Sequence, residues 1–510
     1  MPVEHARLLA LDGHDRRRGH LRLQRRWNRQ GRSVPEHRTH GGSACRAFPR
    51  HQRLHLREAV VSTNTGEILT KEEAEAIARK VLEFADPAAD TVVNVQLSNA
   101  QNTRFSRNEI TTQLDASLGQ VTVTSMMNGK TANGVTQRFD DDGLMEAVRW
   151  AEDATKDGPG EHGTSRLVQP RDYPVPPGLW SEASRAVDIE ERIERAVSAI
   201  ERTDGFVSAG TLDLSVASML VANSAGLVGY CRSTNGSLSL SARTSDNTGS
   251  GWAGKAIYDF GDLDAPAIAN RATDKAERSR GPQAIEPARY TVILEPDAYA
   301  QMIFFMMQYH MDLQSAESGF NVWAAPGGGT KIGQQVFDER LSFVSDPMDS
   351  AGPFCPFNPV GVPFNRTYWV QDGILRNLSY GDDTAVERGE DYPLANPVAV
   401  RLQPKEGTQL ATLDEMISTC ERGIYVTRLT TLFADFRLLV FTGVTRDGTW
   451  LVERGRITRP IANMRYVDSH MYFLNNLEMI GEPVLTAGGS FVLPPVRSRD
   501  FNFTAIADAV

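Results

Sequence analysis

The sequence predicts an α+β protein, mostly antiparallel sheet with flanking helices, in more than one domain. Three observations predict it. Segments of alternating apolar residues recur with turn residues between them, and amphipathic stretches at helical spacing separate groups of these segments. The chain's 510 residues also amount to roughly three domains at about 150 residues each.

The elements follow in order. Thr70-Lys-Glu-Glu73 has the spacing of a capping box, and Ala74, Ile77, Ala78, Val81 and Leu82 continue it at helical spacing until Asp86-Pro87. Val93, Val95 and Leu97 alternate as a strand. More strands are expected around 104–105, 109–114 and 120–126, the last closed by an Asn128-Gly129 hairpin turn. An acidic run at 140–142 caps a helix with Leu144, Val148 and Ala151 on one face. These elements form an N-terminal α/β domain, 59–156. A Pro- and Gly-rich stretch, 157–180, opens a central domain, 157–282. It holds a charged helix over 186–202, strand material over 206–260 and a polar helix over 265–279. Gly281-Pro282 then leads into a β-rich C-terminal domain, 283–510, with helices near 297–314, 412–420 and 470–479.

Hydrophobic content of 41% and charged content of 23% fit a globular chain and exclude collagen-like or disulfide-stapled classes. No apolar run approaches the ~20 residues of a membrane helix, and no secretory segment is seen, so a cytoplasmic protein without membrane contact is expected. Cys45, Cys231, Cys355 and Cys420 form no C-x-x-C pair, which fits a reducing compartment and argues against a zinc ribbon. The net charge of −10 is uneven. Residues 1–58 carry 14 Arg, no Lys, seven of the ten His and five acids, a net +9 that leaves −19 on the rest. The body is too acidic for a nucleic-acid surface. The leader 1–58, with no apolar period, reads as disordered or non-native.

Gly249, Gly251 and Gly254, followed by Lys255, spell a phosphate-loop pattern. The flanks lack the buried strand and following helix that such a loop needs, so chance explains it better. Pro326-Gly-Gly-Gly329 reads as a mobile loop rather than a phosphate cradle. Outside the leader only His162, His310 and His470 remain, too few for a histidine-rich zinc site, and no H-E-x-x-H occurs. Cys355 or Cys420 with His310 or His470 carries no nucleophile signature in its spacing. Each histidine reads as a structural, hydrogen-bonded residue.

The C-terminal block carries a resemblance. Pro287-Ala-Arg-Tyr-Thr-Val-Ile-Leu-Glu-Pro296, Lys331-Ile-Gly-Gln-Gln-Val-Phe337, Asp346-Pro347 and Pro356-Phe-Asn-Pro-Val-Gly-Val-Pro363 appear in collinear order. Gln371-Asp-Gly-Ile-Leu375, Gly423-Ile-Tyr-Val-Thr-Arg-Leu429, the 448–457 segment and Asn475-Asn-Leu-Glu-Met-Ile-Gly481 follow, and Thr103-Arg-Phe-Ser-Arg-Asn-Glu-Ile110 precedes them. Together they resemble the TldD/PmbA family, also labelled modulator of DNA gyrase, over residues ~70–490.

The resemblance implies a cytoplasmic metallopeptidase system acting on short or unfolded peptides. TldD-type members carry H-E-x-x-x-H on the helix after the opening strand; TldE (PmbA) members lack it and pair with a TldD-type chain. Here that helix reads Tyr299 to His310, with Phe305 in the first histidine slot and Met306 in the general-base slot. The chain therefore resembles the TldE type: no metal of its own, zinc in a TldD-type partner, a hetero- or homodimer, and a peptide held by strand addition. The strand with Thr427 and Arg428 is the candidate peptide-binding wall. Two other readings stand beside this one. One is an active hydrolase using His310 and His470 with Asp312 or Asp468; the other is a peptide-binding scaffold without enzymatic activity.

Overall fold

The computed structural model describes residues 67–156, 161–162, 166–435 and 437–507; the leader 1–58 lies outside them. Helix α1 (Lys71–Phe84) begins at its capping box. The Glu73 amide donates to the Thr70 hydroxyl at 3.2 Å, and the Thr70 amide donates to the Glu73 carboxylate at 2.9 Å. The buried stripe of α1 (Ala74, Ile77, Ala78, Val81) and that of α2 (Asp141–Lys156) pack on Val93, Val95, Leu97, Val121 and Val123.

Those valines belong to a seven-stranded antiparallel sheet. Its strands are β1 (Asp90–Ser106), β2 (Glu109–Met127), β3 (Lys130–Thr136), β4 (Glu161–His162), β5 (Phe206–Asn223), β6 (Val228–Thr244) and β7 (Ser250–Ile257), in the order β4-β3-β2-β1-β5-β6-β7. β1 pairs with β2 along its whole length on one side and with β5 on the other. The segments 59–156 and 157–282 thus contribute strands to one sheet. Asn128 and Gly129 both have positive φ, 54° and 73°, as a type I′ turn requires.

A separate short helix, α3 (Glu182–Ala186), precedes the charged helix expected over 186–202, which is α4 (Ile189–Ile200) continued by a 3-10 turn over Glu201–Thr203. Asp188 separates α3 from α4, because its side chain accepts from the Glu191 amide at 2.8 Å and caps α4. α5 (Ala265–Arg278) packs on β7, which explains the glycine pattern. A Cβ on Gly251 would lie 2.2 Å from the Ala272 carbonyl oxygen, and one on Gly249 equally close to that of Ala276. The pattern lies in and beside an edge strand and lets a helix lie flat on it, rather than forming a strand-to-helix turn.

The C-terminal part begins with β8 (Arg289–Leu294) and α6 (Pro296–Tyr309). One six-stranded sheet comprises β9 (Leu341–Ser345), β10 (Thr367–Gln371), β11 (Ile374–Leu375), β12 (Val400–Pro404), β18 (Val484–Leu485) and β19 (Phe491–Leu493). The other sheet contains β8, β13 (Arg422–Asp435), β14 (Val440–Glu453), β15 (Arg456–Pro460), β16 (Met464–Ser469), β17 (Leu477–Ile480) and β20 (Val496–Ile506). In it β13, β8, β20, β16 and β14 pair in turn, and β14 pairs again with β13, closing a ring. The largest core fills the space between this ring, α6 and the six-stranded sheet. The helix near 470–479 stops at Asn475, because Leu477–Ile480 is drawn into pairing with β20. No helix among the described residues is long and apolar enough to cross a membrane.

Candidate functional site

α6 follows the opening strand directly, so its residues can be tested against zinc. Phe305 packs on the core and stacks on Phe441 with ring centroids 5.8 Å apart, and Met306 is fully buried. A phenyl ring cannot ligate zinc, and a thioether cannot take a proton from zinc-bound water. This helix does not fit the metal.

His310 caps the C-terminus of α6, and His470 opens the helix His470–Asn475; both are buried. The His470 ring meets Phe441 edge-on at 4.4 Å. Burial pushes His310 down to about 4. Burial also pushes His470 down to about 3; a charge on His310 would add to this, while the Met302 and Leu439 carbonyls oppose it. Both rings are therefore neutral at pH 7. The carboxylates once paired with them serve the backbone instead. Asp312 accepts from the Ser315 amide at 2.7 Å, and Asp468 accepts from the Ser469 and Asn502 amides at 2.7 and 2.9 Å.

This burial has a pH signature. The unfolded chain protonates each histidine below about pH 6.5, but the folded chain resists until about 4 or 3, so stability falls as pH drops from 7 to 5. Asp297, raised to about 6 by burial, works in the opposite direction over the same interval. Comparison with a variant isolates the histidine. His470→Phe should reduce the loss of unfolding free energy between pH 7 and 5 by about 2 kcal/mol. Equal pH dependence in urea melts of the two proteins would show that His470 is not buried neutral.

Thr427 and Arg428 lie at a junction. Gly423–Val426 of β13 pairs with β8 on one side and with β14 on the other, so that stretch has no edge for an added strand. The buried Thr427 hydroxyl donates to the Asp447 carbonyl at 3.0 Å. Arg428 pairs with the Asp447 carboxylate at 3.0 Å and lies over the Trp252 ring at 4.7 Å. Asp447 also accepts from the Ser250 hydroxyl. Since Ser250 and Trp252 stand on β7, this group joins the strand ring to the first sheet.

The residues that reasoning from sequence missed lie on the opposite face of the first sheet. Along β1, Val93, Val95 and Leu97 face the helices, whereas Asn94, Gln96, Ala100 and Asn102 line cavities. The register extends this floor across the sheet: Ala100 opposes Ser215, Asn102 opposes Asp213, and these oppose Asn235 and Ser237. Two cavities of about 500 and 380 Å³ adjoin it, and a third of about 190 Å³ lies within the C-terminal part between them. Phe354 and Val398 border the first and third, and Pro393 the second and third. The roof includes Pro359, Val360 and Val362, so part of the 356–363 motif covers the floor. The floor sets amides and hydroxyls among apolar side chains such as Val92, Met126, Leu214 and Ile257. Its one carboxylate, Asp213, accepts from the Asn102 amide and, at 3.1 Å, from the Thr211 hydroxyl. Neutral groups of both polarities in a partly covered trough suit the N–H and C=O groups of an extended chain. A signal existed: Asn94-x-Gln96-x-Ser98 and Ser233-x-Asn235-x-Ser237 alternate uncharged polar residues where a solvent face would carry Lys and Glu.

Comparison with known proteins bears on this architecture. Residues 182–280 match the PmbA/TldA metallopeptidase central domain, and residues 287–505 match the C-terminal domain of the same family. No curated protein matches the chain. Among solved structures, a protein described as a modulator of a DNA gyrase from Thermotoga maritima superposes with a TM-score of 0.74 at 16% identity, covering 84% of this chain and 100% of that one. TldE from Thermococcus kodakarensis gives 0.73 at 16% identity, covering 84% and 99%. A protein described as a modulator of DNA gyrase from Bacteroides thetaiotaomicron gives 0.71 at 18% identity, covering 86% and 100%.

Proposed function

Because the chain belongs to the PmbA/TldD metallopeptidase family, we propose that it is a TldE-like subunit without a metal site, paired in the cytoplasm with a TldD-type chain that carries the zinc. The observation that carries this reading is α6, where Phe305 and Met306 occupy the slots of ligand and general base and are packed into the core. The trough supports the remainder. This chain's own residues bind and orient a short or unfolded peptide: floor amides and hydroxyls exchange hydrogen bonds with its backbone, and the 356–363 roof limits water. Zinc in the partner would supply the activated water for peptide cleavage.

The reading has a direct metal test. A chain beginning at Val60, free of the seven leader histidines, should hold well under one zinc after dialysis, measured by elemental analysis. One tightly held zinc per chain would replace this reading with that of an active hydrolase.

A further inference from the structure

The polar floor ends in a pair of thiols. Cys231 stands on β6 opposite Met219 and shares a buried cluster with Val221, Phe357 and Val362, against which Cys355 packs. The loop carrying Cys355 is pressed onto this end of the sheet. The rings of Tyr173 and Phe357 lie 4.4 Å apart, the Tyr173 hydroxyl donates to the Gly361 carbonyl, and a Cβ on Gly361 would lie 2.5 Å from the Leu227 side chain. Both cysteines are free and share this cluster, and the Cys231 thiol donates to the Arg232 carbonyl at 3.9 Å. Cys355 also lines the 500 Å³ cavity, which brings a small reagent to this thiol pair from the Cys355 side.

We propose that Cys231 and Cys355 form a redox modification site, at which a peroxide converts the two thiols into an intramolecular disulfide tying the roof loop to strand β6. The neighbouring Cys355 thiol holds the Cys231 thiol below its ordinary range, which favours Cys231 as the attacking sulfur. Its thiolate attacks one peroxide oxygen, the O–O bond breaks, and the leaving hydroxide takes up the thiol proton as water, leaving a sulfenic acid. Cys355 then attacks that sulfur. The S–S bond forms, the S–O bond breaks, and the departing hydroxide takes the Cys355 proton as a second water. Two thiols give up two electrons, and one peroxide becomes two waters. Cys420 stands apart, buried among Ile293, Met416 and Trp450. The site does not depend on the peptide-binding reading; its effect would be to keep the roof from lifting off the floor.

The test treats the full reduced chain with hydrogen peroxide, blocks remaining thiols, digests without reductant and maps linked peptides by mass spectrometry. The expected result is a Cys231–Cys355 linked peptide, removed by dithiothreitol, with the thiol titre falling from four to two in a monomeric chain. Cys420→Ser should give the same linked peptide, and Cys231→Ser should abolish it. Four thiols surviving, links through Cys45 or between chains, or sulfinic acid at Cys355 in place of the link would each overturn the proposal. The wild-type map decides the question even if a variant fails to fold.

Discussion

Trp450→Ala is expected to cost about 3–5 kcal/mol of stability, the range for deleting a large aromatic from a packed core. Trp450 is 1% exposed and stacks on Tyr425 with centroids 5.3 Å apart. Its indole N–H donates to the Arg278 carbonyl at 2.9 Å, and the Arg278 guanidinium lies 5.6 Å from the ring centroid. One side chain on β14 thus links the strand ring to the end of α5, so removal would leave both a cavity and a carbonyl without its donor. Trp450→Phe keeps most of the apolar area and should cost roughly 1–3 kcal/mol, the penalty for a buried polar group left unpaired. Urea unfolding measures both. A loss below about 1 kcal/mol for the alanine variant would show that the two parts do not depend on this joint.

The largest expected effect on function is at the floor. Asn235→Asp keeps the side-chain shape, removes two donors and places a carboxylate one register step from Asp213, across β5 and β6. In a trough partly closed to water, that charge repels peptide carbonyls and is poorly solvated. Affinity for an unstructured, uncharged peptide should weaken at least tenfold, or about 1.4 kcal/mol, while Asn235→Ser changes it less. Fluorescence anisotropy with a labelled peptide reads the difference. Unchanged affinity in the aspartate variant would place the peptide elsewhere. Arg428→Glu gives a useful contrast. It sets a second carboxylate against Asp447 at the junction with β7 and should therefore act on stability more than on peptide binding.

Much of the fold was legible because local chemistry specifies it. Thr70 and Glu73 and Asn128-Gly129 act where their residue types place them. The helix after the opening strand was legible in position, beginning at Pro296 and ending at Tyr309 rather than near 314. What was hidden depends on contacts far apart in sequence. β1 pairs with β5 across more than a hundred residues, so the union of two segments in one sheet has no local sign. The closing of the ring depends on β13 pairing with β8 over Gly423–Val426 and with β14 over that stretch and beyond it, contacts that have no local sign in the sequence. The trough was hidden for a subtler reason. Ser, Thr and Asn alternation reads locally as an ordinary exposed face, and only the 353–362 loop folding over it makes it a partly covered floor.

The account's central claim is a division of labour, in which this chain holds peptide and a zinc-bearing relative cleaves it. The most direct measurement is hydrolysis of an unstructured peptide in three parallel reactions: this chain alone, an H-E-x-x-x-H chain of the same family from the same source alone, and the two together. Turnover is expected in the mixture and to be lost on zinc chelation; it should be absent with this chain alone and unaffected in the mixture by His310→Ala. Zinc-dependent cleavage by this chain alone, abolished by His310→Ala, would contradict the account.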